Sequence, residues 1–376
     1  MSAESPEQAQ GTAGLKVAIV GLRGFPDVQG GVERHVESLA PLLVQQGARV
    51  TVYVREPYMR HFAGDVWQGV RFCRIWSPVG KSSEALVHTL LAVLAAAWQR
   101  NEVIHFQAIG PSFFAPLARL LGMKVVMTHH SQNYLSQKWG KGARLFLRTA
   151  ERFGVLGAHR VVVISRHLQQ WVAHAFGKDA VLIPNGVTVF PAGSGDADLL
   201  PAMGLAGARY LLHVGRLVPE KRHHDLIDAF LRRPPPGWKL AFAGAADHAD
   251  AYSASVLARA GDNVVFLGRK NAAELASLYA HCGMFVLPSS LEGLPISLLE
   301  ALSLGAPSIV SDIEPHLEMQ LPAESYFPLG DVDALAERIT HFAQIGARWD
   351  DWAERVRRDY DWHAVARNTH ALYAAL

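Results

Sequence analysis

The chain has 376 residues, and 36 Lys and Arg against 34 Asp and Glu leave a formal net charge of +2 with neutral histidines. Half of the residues are hydrophobic by type and 19% are charged, a globular composition that excludes disorder, a collagen-like chain and a strongly basic nucleic-acid binder. Two cysteines, Cys73 and Cys282, cannot make a disulfide framework or a Cys-rich zinc site, and no uninterrupted apolar run reaches the roughly 18 residues needed to span a bilayer.

At about 150 residues per domain, the length is that of two domains. The polar opening MSAESPEQAQGTAG (1–14) reads as a disordered tail without the pattern of a secretory signal, so a cytoplasmic location is expected. Short β-branched runs then alternate with helical periodicity. Strands are predicted at Lys16–Val20, Arg49–Val54, Val103–Phe106, Lys124–Thr128 and Arg160–Ile164, with helices at Val32–Gln46, Glu84–Trp98, Ser112–Leu121 and Gly142–Phe153. The apolar Glu84–Trp98 segment is too short to span a membrane and reads as a core helix. A Gly-, Ala-, Pro- and Asp-rich stretch at 191–208 reads as a linker. The rhythm then resumes with strand Tyr210–Val214, helix Asp225–Phe230 and strands Lys239–Ala243, Asn263–Leu267 and Met284–Leu287. Continuous apolar strands flanked by helices indicate parallel sheets covered on both faces. The expected architecture is therefore α/β, with two Rossmann-like, doubly wound domains (15–190 and 209–350) facing a cleft and a C-terminal helix (351–376) after them.

In such sheets ligands bind beyond the carboxyl ends of strands, where loops lead into helices. Three such junctions stand out. In GLRGFPDVQGGVERHVESL the spacing does not give the GxGxxG dinucleotide fingerprint, which disfavours a nicotinamide cofactor. Gly30 and Gly31 there either let a ligand approach the positive end of a helix or simply make a flexible helix start. In HVGRLVPEKRHHDLIDAF, Arg216 and Lys221 flank a turn at a strand end, an arrangement suited to a diphosphate and equally readable as a solvated basic turn. In FVLPSSLEGLPISLLEALSLGAP, Pro295 suits the first helical position and Gly305 the C-terminal cap. Glu300 falls on an apolar helical stripe, where a carboxylate needs hydrogen-bond donors such as ribose hydroxyls or an internal arginine.

These junctions, in this order, resemble the retaining GT-B glycosyltransferases of family 4. EGLPISLLE (Glu292–Glu300) fits the family's Glu-x7-Glu motif, GRLVPEK (Gly215–Lys221) its basic turn, and GGVERHV and VLIPNGV (Val181–Val187) look like further family positions. The likeness runs from about Leu15 to the end. It implies that Arg216 and Lys221 bind the donor diphosphate, that Gly30 and Gly31 approach phosphate or sugar, that Glu292 with Gly293 and Leu294 holds the donor sugar, and that Glu300 takes the ribose. The family's Thr-x-His pattern falls on Thr128-His129-His130, so His130 is the implied histidine beside the sugar. It also implies that the C-terminal helix crosses back to the N-terminal domain, with Tyr360, Trp362 and Tyr373 as its anchors. The activity implied is retaining transfer of a hexose from a UDP- or GDP-sugar to a hydroxyl of a glycan or lipid-linked acceptor, in bacterial surface polysaccharide assembly.

No cofactor and no metal are expected. Asp196-Ala197-Asp198 lies in the linker and Asp331-Val332-Asp333 at a helix start, and neither His129-His130 nor His223-His224 has a third ligand at metal spacing. Lys138, Lys141, Arg144, Arg148 and Arg152 recur every three or four residues among aromatics, a pattern suited to an anionic membrane surface or to a solvated helix face. Nucleic acid is not an expected partner. The alternatives are a nucleotide-sugar epimerase of the same fold and a non-catalytic nucleotide-sugar-binding subunit.

Overall fold

A computed structural model of the chain describes residues 14–78, 84–136, 139–188, 190, 195–247, 249–346 and 348–376. The predicted tail, apart from Gly14, and positions 191–194 of the predicted linker lie outside the described residues, as does Lys138.

The N-terminal sheet contains β1 (Lys16–Val20), β2 (Arg49–Arg55), β3 (Val66–Trp67), β4 (Val70–Ile75), β5 (Val103–Gln107), β6 (Lys124–His129), β7 (Arg160–Val163) and β8 (Val181–Leu182). Their order across the sheet is β3-β4-β2-β1-β5-β6-β7-β8, parallel except for β3, which pairs antiparallel with β4. The second sheet contains β9 (Arg209–Val214), β10 (Trp238–Ala243), β11 (Val264–Gly268), β12 (Met284–Leu287), β13 (Ser308–Ser311) and β14 (Tyr326–Phe327), ordered β11-β10-β9-β12-β13-β14 and parallel where paired. In each sheet the winding reverses beside the first strand, between β1 and β5 and between β9 and β12. Those two crevices are where an open α/β sheet accepts ligands.

Helices cover both faces of each sheet, which is why central strands such as β5 and β12 are buried along their whole length. Val36, Leu39 and Leu43 of the Gly31–Gln45 helix pack with Val365 and Tyr373 of the last helix, Trp362–Ala374. Each such side chain contributes roughly 1.5–3 kcal/mol by leaving water. A second apolar cluster is continuous from the first domain into the second, taking in Ile164, Leu294, Leu298 and Val356.

Two expectations need revision. The Glu84–Trp98 helix is not enclosed: His88, Ala92, Val93 and Ala96 face the sheet, while Leu90, Leu91, Leu94 and Trp98 face outward, Trp98 at 89% exposure. The helix is apolar all round, and periodicity alone could not show that only one side is covered. The C-terminal segment is two helices rather than one. Asp350–Asp359 packs on the Ile296–Ser303 helix, and after Tyr360 and Asp361 the Trp362–Ala374 helix packs on Gly31–Gln45. At this return crossing the Val187 N–H donates to the Tyr360 carbonyl at 2.7 Å, so both interdomain connections run side by side.

Candidate active site

The three junctions singled out in the sequence fall at the two crevices. Gly21–Gly30 leaves β1, Gly215–Lys221 leaves β9, and the loop from Pro288 to Pro295 leaves β12. Gly30 caps the Gly31–Gln45 helix, and the position where Gly31 would carry a Cβ is open space. Pro295 sits just before the Ile296–Ser303 helix rather than within it, and Gly305 follows its end at φ +71°.

Lys221 and Glu292 are brought together across these loops. Lys221 Nζ lies 2.6 Å from Glu292 Oε1, with both side chains largely buried. Burial alone would raise the Glu292 carboxyl, but the Lys221 ammonium, with smaller contributions from His316 and Ser289, offsets it and leaves the group below the usual carboxylate range. The Ser290 N–H donates to the Glu220 carbonyl at 2.8 Å and ties the two loops into one unit.

Gly293 lies directly against the N-terminal domain. A Cβ there would overlap the His130 carbonyl oxygen and press on Ile164 Cδ1, so only glycine permits this approach. Beside it, the Leu294 carbonyl accepts from Asn185 Nδ2 at 2.7 Å, and Asn185 Oδ1 pairs with His35 Nδ1 at 2.9 Å. The loop carrying Glu292 is therefore held by the opposite domain through its backbone.

His130 and His129 point different ways. His130 Nε2 is 2.8 Å from Gln107 Oε1, its ring meets His35 edge-on at 4.9 Å, and its own carbonyl abuts Gly293. Because the Gln107 oxygen can only accept, the proton sits on Nε2 and the lone pair on Nδ1. Burial, then the neighbouring histidines, pushes the His130 imidazole well below its ordinary range, so the ring is neutral. His129 instead pairs with Glu151 at 2.8 Å, a carboxylate that also accepts from Trp171 Nε1.

Arg216 Nη1 is 2.8 Å from Asp247 Oδ2, in the loop after β10, and the other oxygen of that carboxylate is 2.9 Å from Arg23 Nη1 in the N-terminal domain. Glu300 is buried on the Ile296–Ser303 helix, where it accepts from Tyr279 Oη at 3.1 Å and Thr188 Oγ1 at 3.5 Å, with Arg34 Nε at 3.8 Å. Burial raises its pKa, and Arg34 only partly offsets that. Thus Lys221 meets Glu292 directly, and the next residue, Gly293, meets the backbone carbonyl of His130. Arg216 joins the Gly30 loop through Asp247 and Arg23, and Glu300 stands further along the helix.

Comparison with known proteins decides the family. The model for glycosyltransferase family 4 matches residues 29–189, and that for glycosyl transferases group 1 matches 205–359. The chain belongs to the family 4 glycosyltransferases. The glycosyltransferase is 26% identical over 407 aligned positions to the glycogen synthase of Mycobacterium tuberculosis, covering 96% of this chain and 95% of that one. Among solved structures it resembles sucrose-phosphate synthase from Thermosynechococcus elongatus, at a TM-score of 0.81 and 23% identity over 96% of this chain and 98% of that one. It also resembles HepE of Anabaena in complex with UDP-glucose, at 0.76 and 18% over 96% and 100%. The fold is GT-B.

Several residues of the glycosyltransferase's cleft carried no separate signal in the sequence. Asn185 and Arg34 lie inside VLIPNGV and GGVERHV, but nothing in those strings shows that they reach Leu294 and Glu300. Arg23 sits in the first junction without a spacing that marks it, and Asp247 reads only as part of a turn. The first Asp of each Asp-x-Asp pair serves as a cap: Asp331 accepts from the Ala334 N–H and Asp196 from the Asp198 N–H, each at 2.9 Å.

Proposed function

We propose that this enzyme is a retaining, metal-independent hexosyltransferase that takes a hexose from a UDP- or GDP-sugar and places it on a hydroxyl of a glycan or lipid-linked acceptor during assembly of a bacterial surface polysaccharide. The observation that carries this reading is the Lys221–Glu292 pair, 2.6 Å apart, on a loop pressed against the His130 carbonyl. Lys221 and Arg216 stand beyond the carboxyl end of β9, beside a topological switch point, and would neutralise a departing diphosphate. Fixed charges aimed at a leaving group need no reorganisation as the bond breaks. Gly30 and Gly31 would let phosphate or sugar approach the start of the Gly31–Gln45 helix.

Glu292 is committed to Lys221, and this favours a front-face displacement over a double displacement, which needs a free carboxylate nucleophile. Glu292, with the Gly293 and Leu294 backbone, would orient the hexose. His130 Nδ1, with its lone pair free of a proton, would accept from a sugar hydroxyl, and Glu300 would accept from the ribose. The first Asp of each Asp-x-Asp pair is used as a cap and Asp333 pairs with Arg232, which supports charge stabilisation by fixed cations such as Arg216 and Lys221. The UDP-glucose held by the Anabaena relative supports a nucleoside-diphosphate donor.

Purified protein incubated with UDP- and GDP-hexoses is expected to release free nucleoside diphosphate slowly and equally well in EDTA. An isomerised donor would instead identify an epimerase, binding without turnover a non-catalytic subunit, and loss of turnover in EDTA a metal enzyme.

A peripheral position at the inner face of the plasma membrane is part of the same proposal. Among the described residues no helix is long and apolar enough to cross a membrane. Lys141, Arg144, Arg148 and Arg152 are exposed on the Lys141–Gly157 helix, together with Leu145, Phe153 and Leu156. Each basic residue near an anionic surface contributes about 1 kcal/mol. Co-sedimentation with phosphatidylglycerol vesicles is expected at low salt and should fall as salt rises; no binding at low salt would remove this part.

A further inference from the structure

We propose that Arg23 and Arg216 form a two-domain clamp on the donor diphosphate, with Asp247 as the carboxylate that holds both arginines in register until the diphosphate takes its place. The inference rests on the reading of Arg216 as a diphosphate ligand and adds to it a ligand from the opposite domain and a competing anion.

Arg23 is held firmly by its own loop. Its Nε is 2.9 Å from Glu33 Oε1, its backbone N–H is 3.2 Å from the same oxygen, and Nη2 donates to the Gln29 carbonyl. Its remaining terminal nitrogen, Nη1, lies 2.9 Å from Asp247 Oδ1 across the cleft, an ion pair by distance. Arg216 approaches Asp247 from the other side and is the more exposed of the two, with a side chain at 35% exposure against 13%. The loop that carries Asp247 is placed by Gly244, at φ +134°, where a Cβ would overlap the Gly215 carbonyl and come within 3.1 Å of Gln29 Nε2. The first-domain loop, the Arg216 turn and the Asp247 loop therefore converge at one point.

The charges at this point are balanced: Arg23 with Glu33, Arg216 with Asp247, and Lys221 with Glu292. A diphosphate entering there meets cations that already have partners. Among the three carboxylates only Asp247 joins residues of both domains through its two oxygens. A phosphate, with several oxygens at similar separation, can make the same bridge to two guanidinium forks. Exchange of one anion for another would then keep the domains joined while the substrate binds. The carboxylate, once displaced, stays close and repels the newcomer, so Asp247 limits donor affinity.

The test is titration of the full-length protein with UDP and with GDP by calorimetry, with folding checked by circular dichroism. Arg23→Gln should weaken binding of the preferred nucleotide at least tenfold, with Arg23→Lys recovering part of the loss. Asp247→Asn should tighten binding at least threefold, the opposite of what a merely structural role would give. Should Arg23→Gln fail to fold, the direction of the Asp247→Asn change decides alone. Binding unchanged or weakened in Asp247→Asn, or within twofold of wild type in Arg23→Gln, overturns the clamp. Arg216→Gln separates the two levels: if it loses affinity while Arg23→Gln does not, only the clamp fails. If Arg216→Gln also binds normally, or the wild-type chain binds neither nucleotide, the donor-site reading fails with it.

Discussion

Lys221→Ala is expected to lower kcat by about 100- to 1,000-fold, roughly 3–4 kcal/mol of transition-state stabilisation, the range seen when one preorganised charge-stabilising group is removed. The same substitution leaves Glu292 buried without its partner, and breaking a buried pair from one side costs about 3–5 kcal/mol of stability. Activity loss alone therefore does not separate chemistry from folding. The paired variant Lys221→Met with Glu292→Gln does, because it removes both charges while filling similar volume. Its melting temperature should return most of the way to wild type while turnover stays low. Recovery of turnover in the paired variant would show that Lys221 serves only to neutralise Glu292, and the leaving-group assignment would fall. Glu292→Gln alone should also lose most transfer, since the amide cannot hold Lys221 in place by charge.

The sequence made much of this site legible because three of its parts are local. Lys221 follows a strand by a short turn, Glu292 follows another, and Glu300 stands on the helix behind it, so strand ends and helix starts were enough to locate them. The central strands were equally readable, since β-branched runs such as VVVI at 161–164 have few other uses. What escaped was either short or non-local. β14 is two residues long, and β3 exists only because it folds back on β4. Arg23 and Asp247 are ordinary loop residues until the two sheets are laid face to face, and no periodicity encodes that docking. Gly293 lies between the two: the motif fixes it, but only the overlap with His130 explains why a side chain is excluded.

Acid should destabilise this protein well before its carboxylates titrate. His35, His88, His213 and His316 are each pushed down by burial to about 4 and His105 to about 3, while His130 and His223 lie well below their ordinary value for the same reason. An unfolded chain binds protons at these rings near pH 6.5, but the folded one does not, so unfolding takes up protons and stability rises with pH. The contribution is intact above pH 6.5, and is lost as pH falls from there toward 4, at up to about 1.4 kcal/mol per pH unit for each ring. Native domains hold roughly 5–15 kcal/mol in total, so a few such rings acting together matter. Glu292, held low by Lys221, acts in the lower window below the ordinary carboxylate value, and so the two effects separate along the pH axis. Thermal melts from pH 7.5 to 5.0 should show the melting temperature falling steeply below about pH 6.5. The C2 proton shifts of these seven buried histidines should remain those of neutral rings for as long as the protein is folded. A flat melting profile, or rings that protonate in the folded state near pH 6, would contradict the buried neutral assignment. Since His130 then never titrates while the fold survives, turnover in mild acid should decline with the folded fraction rather than along the titration curve of a single base.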